Sequence, residues 1–170
     1  MISVSEALDH LFALVAPLDI EEVPLAQAAG RVLAREVAAN RDQPPFAASA
    51  MDGYAIADGA VTGVTLRVTG EAAAGHAFGG RVGPGEAVRI FTGAPVPEGA
   101  TRVVLQEDVS REGETITLGD SIGASDNIRP AGGDFRAGQA MSAPRRLRPA
   151  DIALLASMNI GFVPVHRRPD

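Results

Sequence analysis

The sequence predicts an α+β fold: a small antiparallel β-barrel or sandwich module inserted into a discontinuous mixed α/β domain built from both ends of the chain. Three observations point to it. Seventeen of the 19 glycines lie between Arg41 and Gln139, so turns crowd the middle and leave the ends free for longer elements. Helix signals with 3.6-residue periodicity sit near both termini. Short β-rich runs, punctuated by Gly79-Gly80 and Gly83-Pro84-Gly85, fill the middle. The expected boundaries are 1–40 plus 140–170 for the supporting domain and 41–139 for the inserted module.

The elements follow in order. Ser3 and Glu6 form a capping box, and Leu8, Leu11, Phe12 and Val15 make one apolar stripe, so a helix is expected up to Pro17, which has no N–H to extend it. Ile20 to Val23 reads as a strand. Pro24 to Ala29 reads as a short helix ended by Gly30 in the left-handed conformation. Val32 to Val37 reads as another strand. Arg41 to Phe46 is a linker, since two prolines withhold donors from a sheet. Val64 to Val68, Ala87 to Phe91, Val103 to Gln106 and Thr115 to Leu118 are the strands of the module. Pro149 and Asp151 open a second helix with Ile152, Leu155 and Ala156 on one face. Asn159 and Gly161 close it, and Phe162 to Val165 is the last strand.

With 170 residues the chain can form one domain or two small ones and bury a real core. It has no cysteine, and all 15 basic residues are arginine. Thiol nucleophiles, disulfides and cysteine zinc sites are therefore excluded, as are lysine Schiff bases and a phosphate-loop lysine. A net charge of −6 argues against a nucleic-acid partner, which calls for a basic face. A few local arginines can still build a pocket for a small anion. No apolar run approaches the ~20 residues that span a bilayer. Met1 to Glu6 lacks the basic segment of a signal peptide. A cytoplasmic protein without membrane contact is the expectation.

Three clusters in the glycine-rich middle can carry chemistry. In Ser49-Ala50-Met51-Asp52-Gly53-Tyr54-Ala55, Asp-Gly marks a turn, and the plain reading is a corner with a buried Met51. In Arg89-Ile90-Phe91-Thr92-Gly93-Ala94-Pro95-Val96-Pro97-Glu98-Gly99, a strand enters a proline-stiffened loop. The Thr92 hydroxyl and Gly93 N–H can face an anion there, against a plain reading as a rigid surface loop. Asn127-Ile128-Arg129-Pro130-Ala131-Gly132-Gly133-Asp134 joins a guanidinium, two glycines and a carboxylate, a set able to hold an anion or a hydrated metal, or to serve only as a return linker. His10, His76 and His166 share no metal-ligand spacing. Arg145-Arg146-Leu147-Arg148 reads as a solvated face.

Taken in order, the three clusters, together with Val103-Val104-Leu105-Gln106-Glu107, resemble the MoeA family of molybdopterin molybdenumtransferases. The likeness extends to Val23-Pro24-Leu25, Ala29-Gly30-Arg31-Val32-Leu33-Ala34, Leu154-Leu155-Ala156-Ser157 and Ile160-Gly161, and covers nearly the whole chain. It implies an enzyme of molybdenum cofactor biosynthesis that inserts molybdate into adenylated molybdopterin, with Mg²⁺, and releases AMP and the cofactor. It also implies a homodimer with clefts between subunits, acting on small anionic substrates. Asp52, Thr92 and Asp134 match as catalytic residues, and Arg129, Gly93 and Ser49 as substrate-binding ones. The Mg²⁺ ligands are unassigned and expected mostly outside this chain. Relatives continue past Asp170 into a pterin-binding domain, so the 170 residues are expected to be inactive alone. The alternative is a non-catalytic dimerisation or scaffold module of the same fold.

Two local departures accompany the resemblance. Gly133 stands where an acidic residue is common, which weakens a polar network. Arg148 stands where a threonine commonly caps the last helix, an expected loss of roughly 1 kcal/mol.

Overall fold

A computed structural model describes residues 2–57, 59 and 62–169. In chain order it contains α1 (Val4–Ala13), β1 (Ile20–Pro24), β2 (Val32–Leu33), β3 (Val37–Ala38), β4 (Ala48–Ser49), β5 (Gly53–Ile56), β6 (Thr65–Ala72) and β7 (Glu86–Ile90). There follow β8 (Arg102–Leu105), β9 (Val109–Glu112), β10 (Thr115–Leu118), β11 (Ile128–Arg129), β12 (Ala140–Met141), β13 (Arg145–Arg146), α2 (Pro149–Ser157) and β14 (Phe162–His166). Among the described residues the chain is thus mostly β, with two α-helices. It divides into two compact units, Met1–Arg41 with Ala137–Asp170, and Asp42–Arg136.

In the first unit, both halves of the capping box form: Ser3 Oγ accepts from the Glu6 N–H at 3.2 Å, and Glu6 Oε2 accepts from the Ser3 N–H at 2.7 Å. The helix ends at Ala13, four residues before Pro17, and its stripe faces water: Phe12 is 69% and Val15 71% exposed. The expected helix at Pro24 to Ala29 is only a 3-10 turn, Leu25–Gln27, because Pro24 is still paired with Phe162 in β1. Gly30 has the left-handed φ of 77°. The strand expected over Val32 to Val37 is two strands in two sheets. β2 joins β13 and β14, while β3 pairs with β12, and Ala34 between them donates to the Pro164 carbonyl at 2.9 Å. The main sheet, ordered β1-β14-β2-β13, buries Val23, Leu33, Val163 and Val165, and Leu155 and Met158 of the α2 region are buried as well.

The start of α2 is secured from the opposite direction to that expected. The Arg148 side chain makes no capping bond. Instead Asp151 Oδ2 accepts from the Arg148 N–H at 2.8 Å, and its Oδ1 from Arg145 Nη2 at 2.7 Å, so Arg145 is a structural partner and not only part of a solvated face. The Arg148 backbone contact and then the Arg145 side-chain bond hold the Asp151 carboxyl below its ordinary 3.8, against an opposing effect of burial. A depressed folded value gives stability that is present above the unfolded pKa and lost as pH falls through the folded one. Asp151→Ala is therefore expected to lower the melting temperature by roughly 2–4 °C at neutral pH. That gap should narrow as the pH falls below the ordinary carboxylate range, as thermal melts at neutral and acid pH will show.

The second unit is organised around a six-stranded sheet ordered β8-β5-β7-β6-β10-β9. The expected all-antiparallel module is corrected at one place: β6 and β7 run parallel, with a bulge between Val68 and Gly70. Residues 73–85 supply the dozen or so positions that a parallel crossover needs. Alternation along β5, which lies between β8 and β7, feeds two apolar clusters, and all four of its residues are buried. Tyr54 and Ile56 join Leu66, Ala87, Val104, Ile116 and Leu118 on one side. Ala55 joins Ala72, Val82, Val88, Ile90, Ala94 and Val103 on the other. Burial of each large side chain contributes about 1.5–3 kcal/mol, so both faces of β5 anchor the unit. The chain enters β5 directly from the turn that carries Asp52.

Candidate functional site

The three sequence clusters meet within the second unit. Ser49 in β4 pairs with Ile128 of β11, and Ala48 with Arg129. Ser49 also exchanges backbone bonds with the second loop: its N–H donates to the Ala94 carbonyl, and its carbonyl accepts from the Gly93 N–H, both at 2.9 Å. Gly93, with φ 80°, sits inside the turn closed by the Ala94 N–H on the Phe91 carbonyl, a position that a side chain would strain. The third cluster is tied to the entry linker, since Asp134 N–H donates to the Gln43 carbonyl at 2.8 Å and Gly132 N–H to that of Pro44 at 2.9 Å.

The site side chains form two couples. Asp52 Oδ1 accepts from the Thr92 N–H and from the Thr92 hydroxyl, each at 2.7 Å. The backbone bond from Thr92, then its hydroxyl bond, lowers the Asp52 pKa; burial opposes this, and the nearby Arg89 charge assists. Asp52 is thus an exposed, ionised carboxylate at neutral pH, with Oδ2 directed to neither Thr92 donor. In the second couple, Arg129 Nη2 contacts both oxygens of Asp134, at 2.8 and 3.0 Å. Both residues are about half exposed. The Asp134 contacts leave Nε and Nη1 of Arg129 for an anion.

Four expectations about these residues change. The Thr92 hydroxyl and N–H and the Gly93 N–H are all committed to Asp52 and Ser49, so the loop turns no donor toward an anion in this state. Thr92 can offer only its oxygen lone pairs outward. Ser49 is 1% exposed, and its hydroxyl donates to the Met51 carbonyl at 2.6 Å; it shapes the Asp52 turn from inside. Met51, by contrast, is 41% exposed. The residue before Asp134, Gly133, keeps the loop tight instead of adding charge: its N–H donates to the Pro130 carbonyl at 3.1 Å.

Two residues of these clusters take roles that the sequence did not assign to them. Asn127, with φ 54°, donates from Nδ2 to the Val103 carbonyl at 2.8 Å and so fastens the third cluster to β8. Arg89 stands between the rings of Tyr54 and Phe91, its guanidinium carbon 5.1 and 4.6 Å from their centroids. The available signal for Arg89 was a cation set among Ala87, Val88, Ile90 and Phe91.

A divalent cation has little to bind here. Among the described residues, no group of three or more His, Asp or Glu side chains gathers as a metal site. Both Asp134 oxygens face Arg129, and one Asp52 oxygen is taken. Mg²⁺ demands near-octahedral oxygen coordination, which this set does not supply. Among the described residues no helix is long and apolar enough to cross a membrane.

Comparison with known proteins agrees with the motifs. The family model described as MoeA N-terminal region (domain I and II) matches residues 2–159. The chain is 38% identical to the molybdopterin molybdenumtransferase of Synechococcus elongatus over 97% of its own length and 43% of that protein. It is 36% identical to the Nostoc sp. molybdopterin molybdenumtransferase, over 99% of itself and 41% of that protein. The crystal structure of a molybdopterin biosynthesis moeA protein from Pyrococcus horikoshii OT3 superposes with a TM-score of 0.88 at 36% identity, covering 99% of this chain and 47% of that one. The chain therefore spans less than half the length of these relatives. With its motifs, its fold and a family match over nearly all its residues in agreement, this chain belongs to the MoeA family, of which it forms the N-terminal region.

Proposed function

We propose that the chain is the N-terminal portion of a molybdopterin molybdenumtransferase, which inserts molybdate into adenylated molybdopterin and releases AMP and molybdenum cofactor. The observation that carries this reading is the Asp52–Thr92 couple, an exposed carboxylate held ionised within the matched region. Asp52 offers Oδ2 as a fixed acceptor to a substrate donor or to a bound water. Arg129, kept in place by Asp134, supplies the positive charge for an oxyanion, since a guanidinium matches phosphate-like geometry with two parallel donors. No step is assigned to Mg²⁺ through these residues, because they do not form its site.

The same reading treats the Asp42–Arg136 unit as an inserted module on a discontinuous supporting domain. It takes the intact protein as a cytoplasmic homodimer, and it assigns the exposed apolar stripe of α1 to packing on a C-terminal domain of the intact protein. The test is AMP release from adenylated molybdopterin by the intact protein. Release that depends on molybdate is expected. An intact, folded protein that releases no AMP when molybdate is added would overturn the proposal.

A further inference from the structure

We propose that Arg89 is the positioning residue of the Asp52–Thr92 couple, its guanidinium locking together the three chain segments that bring the two side chains into contact. The inference rests on the reading of that couple as part of the molybdate-inserting site.

Neither member of the couple is held by a sheet ladder. Asp52 lies in the turn before β5, and Thr92 lies two residues beyond the end of β7. The bond from the Gln106 N–H to the Asp52 carbonyl is long, at 3.2 Å. Arg89 closes a circuit around this weak point. Its Nη1 donates to the Gly53 carbonyl at 3.0 Å, one residue past Asp52. Its Nη2 donates to Gln106 Oε1 at 2.5 Å, on the same residue whose N–H meets Asp52. Its plane lies against Phe91, the residue before Thr92, and against Tyr54, its cross-strand neighbour.

The residue type fits this task and little else. On the sheet face shared by Tyr54, Ile56 and Ala87, an apolar residue would extend the cluster, and a half-buried cation is a local cost. Only a guanidinium can stack on two rings and extend two donors in fixed directions; an ammonium is a point charge without a plane. Besides Asp52, the charged groups near Arg89 are Glu71, opposite it in the β6–β7 ladder, Glu107, which accepts from Gln106 Nε2 at 3.2 Å, and Arg111 and Glu114, which line the same cavity as Arg89. All of these are unchanged in the variants below.

The experiment compares Arg89→Ala and Arg89→Lys with wild type in the intact protein, with Arg67→Ala as a surface control on β6. NMR follows the Thr92 amide proton through an acid titration, since that proton reports the bond to Asp52. Steady-state kinetics follow molybdate-dependent AMP release. Arg89→Ala is expected to lose the hydrogen-bonded shift of the Thr92 amide and to move the Asp52 titration up toward its ordinary value. Its kcat should fall about a hundredfold, the scale of a small misplacement of catalytic groups. Its KM should change less than about threefold. Arg89→Lys should restore neither, and Arg67→Ala should match wild type.

A wild-type Thr92 shift and Asp52 titration in Arg89→Ala would overturn the proposal. So would full recovery in Arg89→Lys, because a bare charge would then suffice. If Arg89→Ala does not fold, Gln106→Ala removes one arm's acceptor at an exposed position; an unmoved Thr92 amide there is equally decisive against the proposal. If wild type shows no molybdate-dependent turnover, the functional reading fails, and the NMR comparison alone decides the role of Arg89.

Discussion

Asp52→Asn in the intact protein is expected to reduce molybdate-dependent turnover by about a thousandfold with almost no change in melting temperature. The substitution is chosen because it keeps the shape of the couple. The amide oxygen can still accept from the Thr92 N–H and hydroxyl, so the turn before β5 keeps its bonds. What disappears is the charge that Thr92 and Arg89 together stabilise, and the second oxygen becomes a donor group. Asp52 is exposed, so no cavity opens, and the retained Thr92 bonds keep the effect on stability small. Asp52→Ala should lose as much turnover and also some thermal stability, since it leaves the Thr92 N–H without its acceptor. Steady-state kinetics and thermal melts on both variants separate the two roles. Full turnover in Asp52→Asn would make the carboxylate a structural cap only.

The parts of this fold that were legible in the sequence are those decided within a few residues. The Ser3–Glu6 box, the left-handed Gly30 and the strands around Ala87 to Ile90 and Thr115 to Leu118 depend on neighbours at short spacing. The parts that were not legible depend on distant partners. Nothing local in Thr65 to Ala72 shows that it will run parallel to β7, because that choice is made by the crossover. The stretch from Val32 to Val37 has the composition of one strand, yet β14 and β12 claim its two halves for different sheets.

The candidate site follows the same division. Its residue types, at Asp52, Thr92, Arg129 and Asp134, stood out as loop chemistry. Which donor serves which acceptor did not. Thr92 read as a donor to an anion is, once folded, a donor to Asp52. Ser49 read as a substrate contact is buried beneath the turn. Arg89 was hidden because its partners Gly53 and Gln106 become neighbours only when β5 lies between β7 and β8.

Gly53→Ala is expected to be the most destabilising single-methyl change in the second unit. A Cβ built there would lie 1.9 Å from the Val104 carbonyl oxygen, 2.8 Å from its carbon and 3.1 Å from Leu105 Cα. All three are backbone atoms, so no rotamer change can relieve the contact. The relief must come from moving β8 away from β5, and the two strands pair from Gly53 with Leu105 through Ile56 with Arg102. β8 carries Val103 into one apolar cluster and Val104 into the other, so its displacement loosens the packing on both sides of the sheet. Overpacking of this kind costs about 3 kcal/mol or more. At roughly 2–4 °C per kcal/mol, the melting temperature should fall on the order of 10 °C. Gly79→Ala and Gly123→Ala are the matched controls, because a Cβ at either meets nothing within 4 Å and neither has a positive φ. They should stay within about 0.5 kcal/mol of wild type in denaturant or thermal unfolding. A Gly53→Ala protein as stable as these controls would show that β8 slides along β5 without cost, and that the tight approach behind Asp52 is not what holds this edge of the sheet.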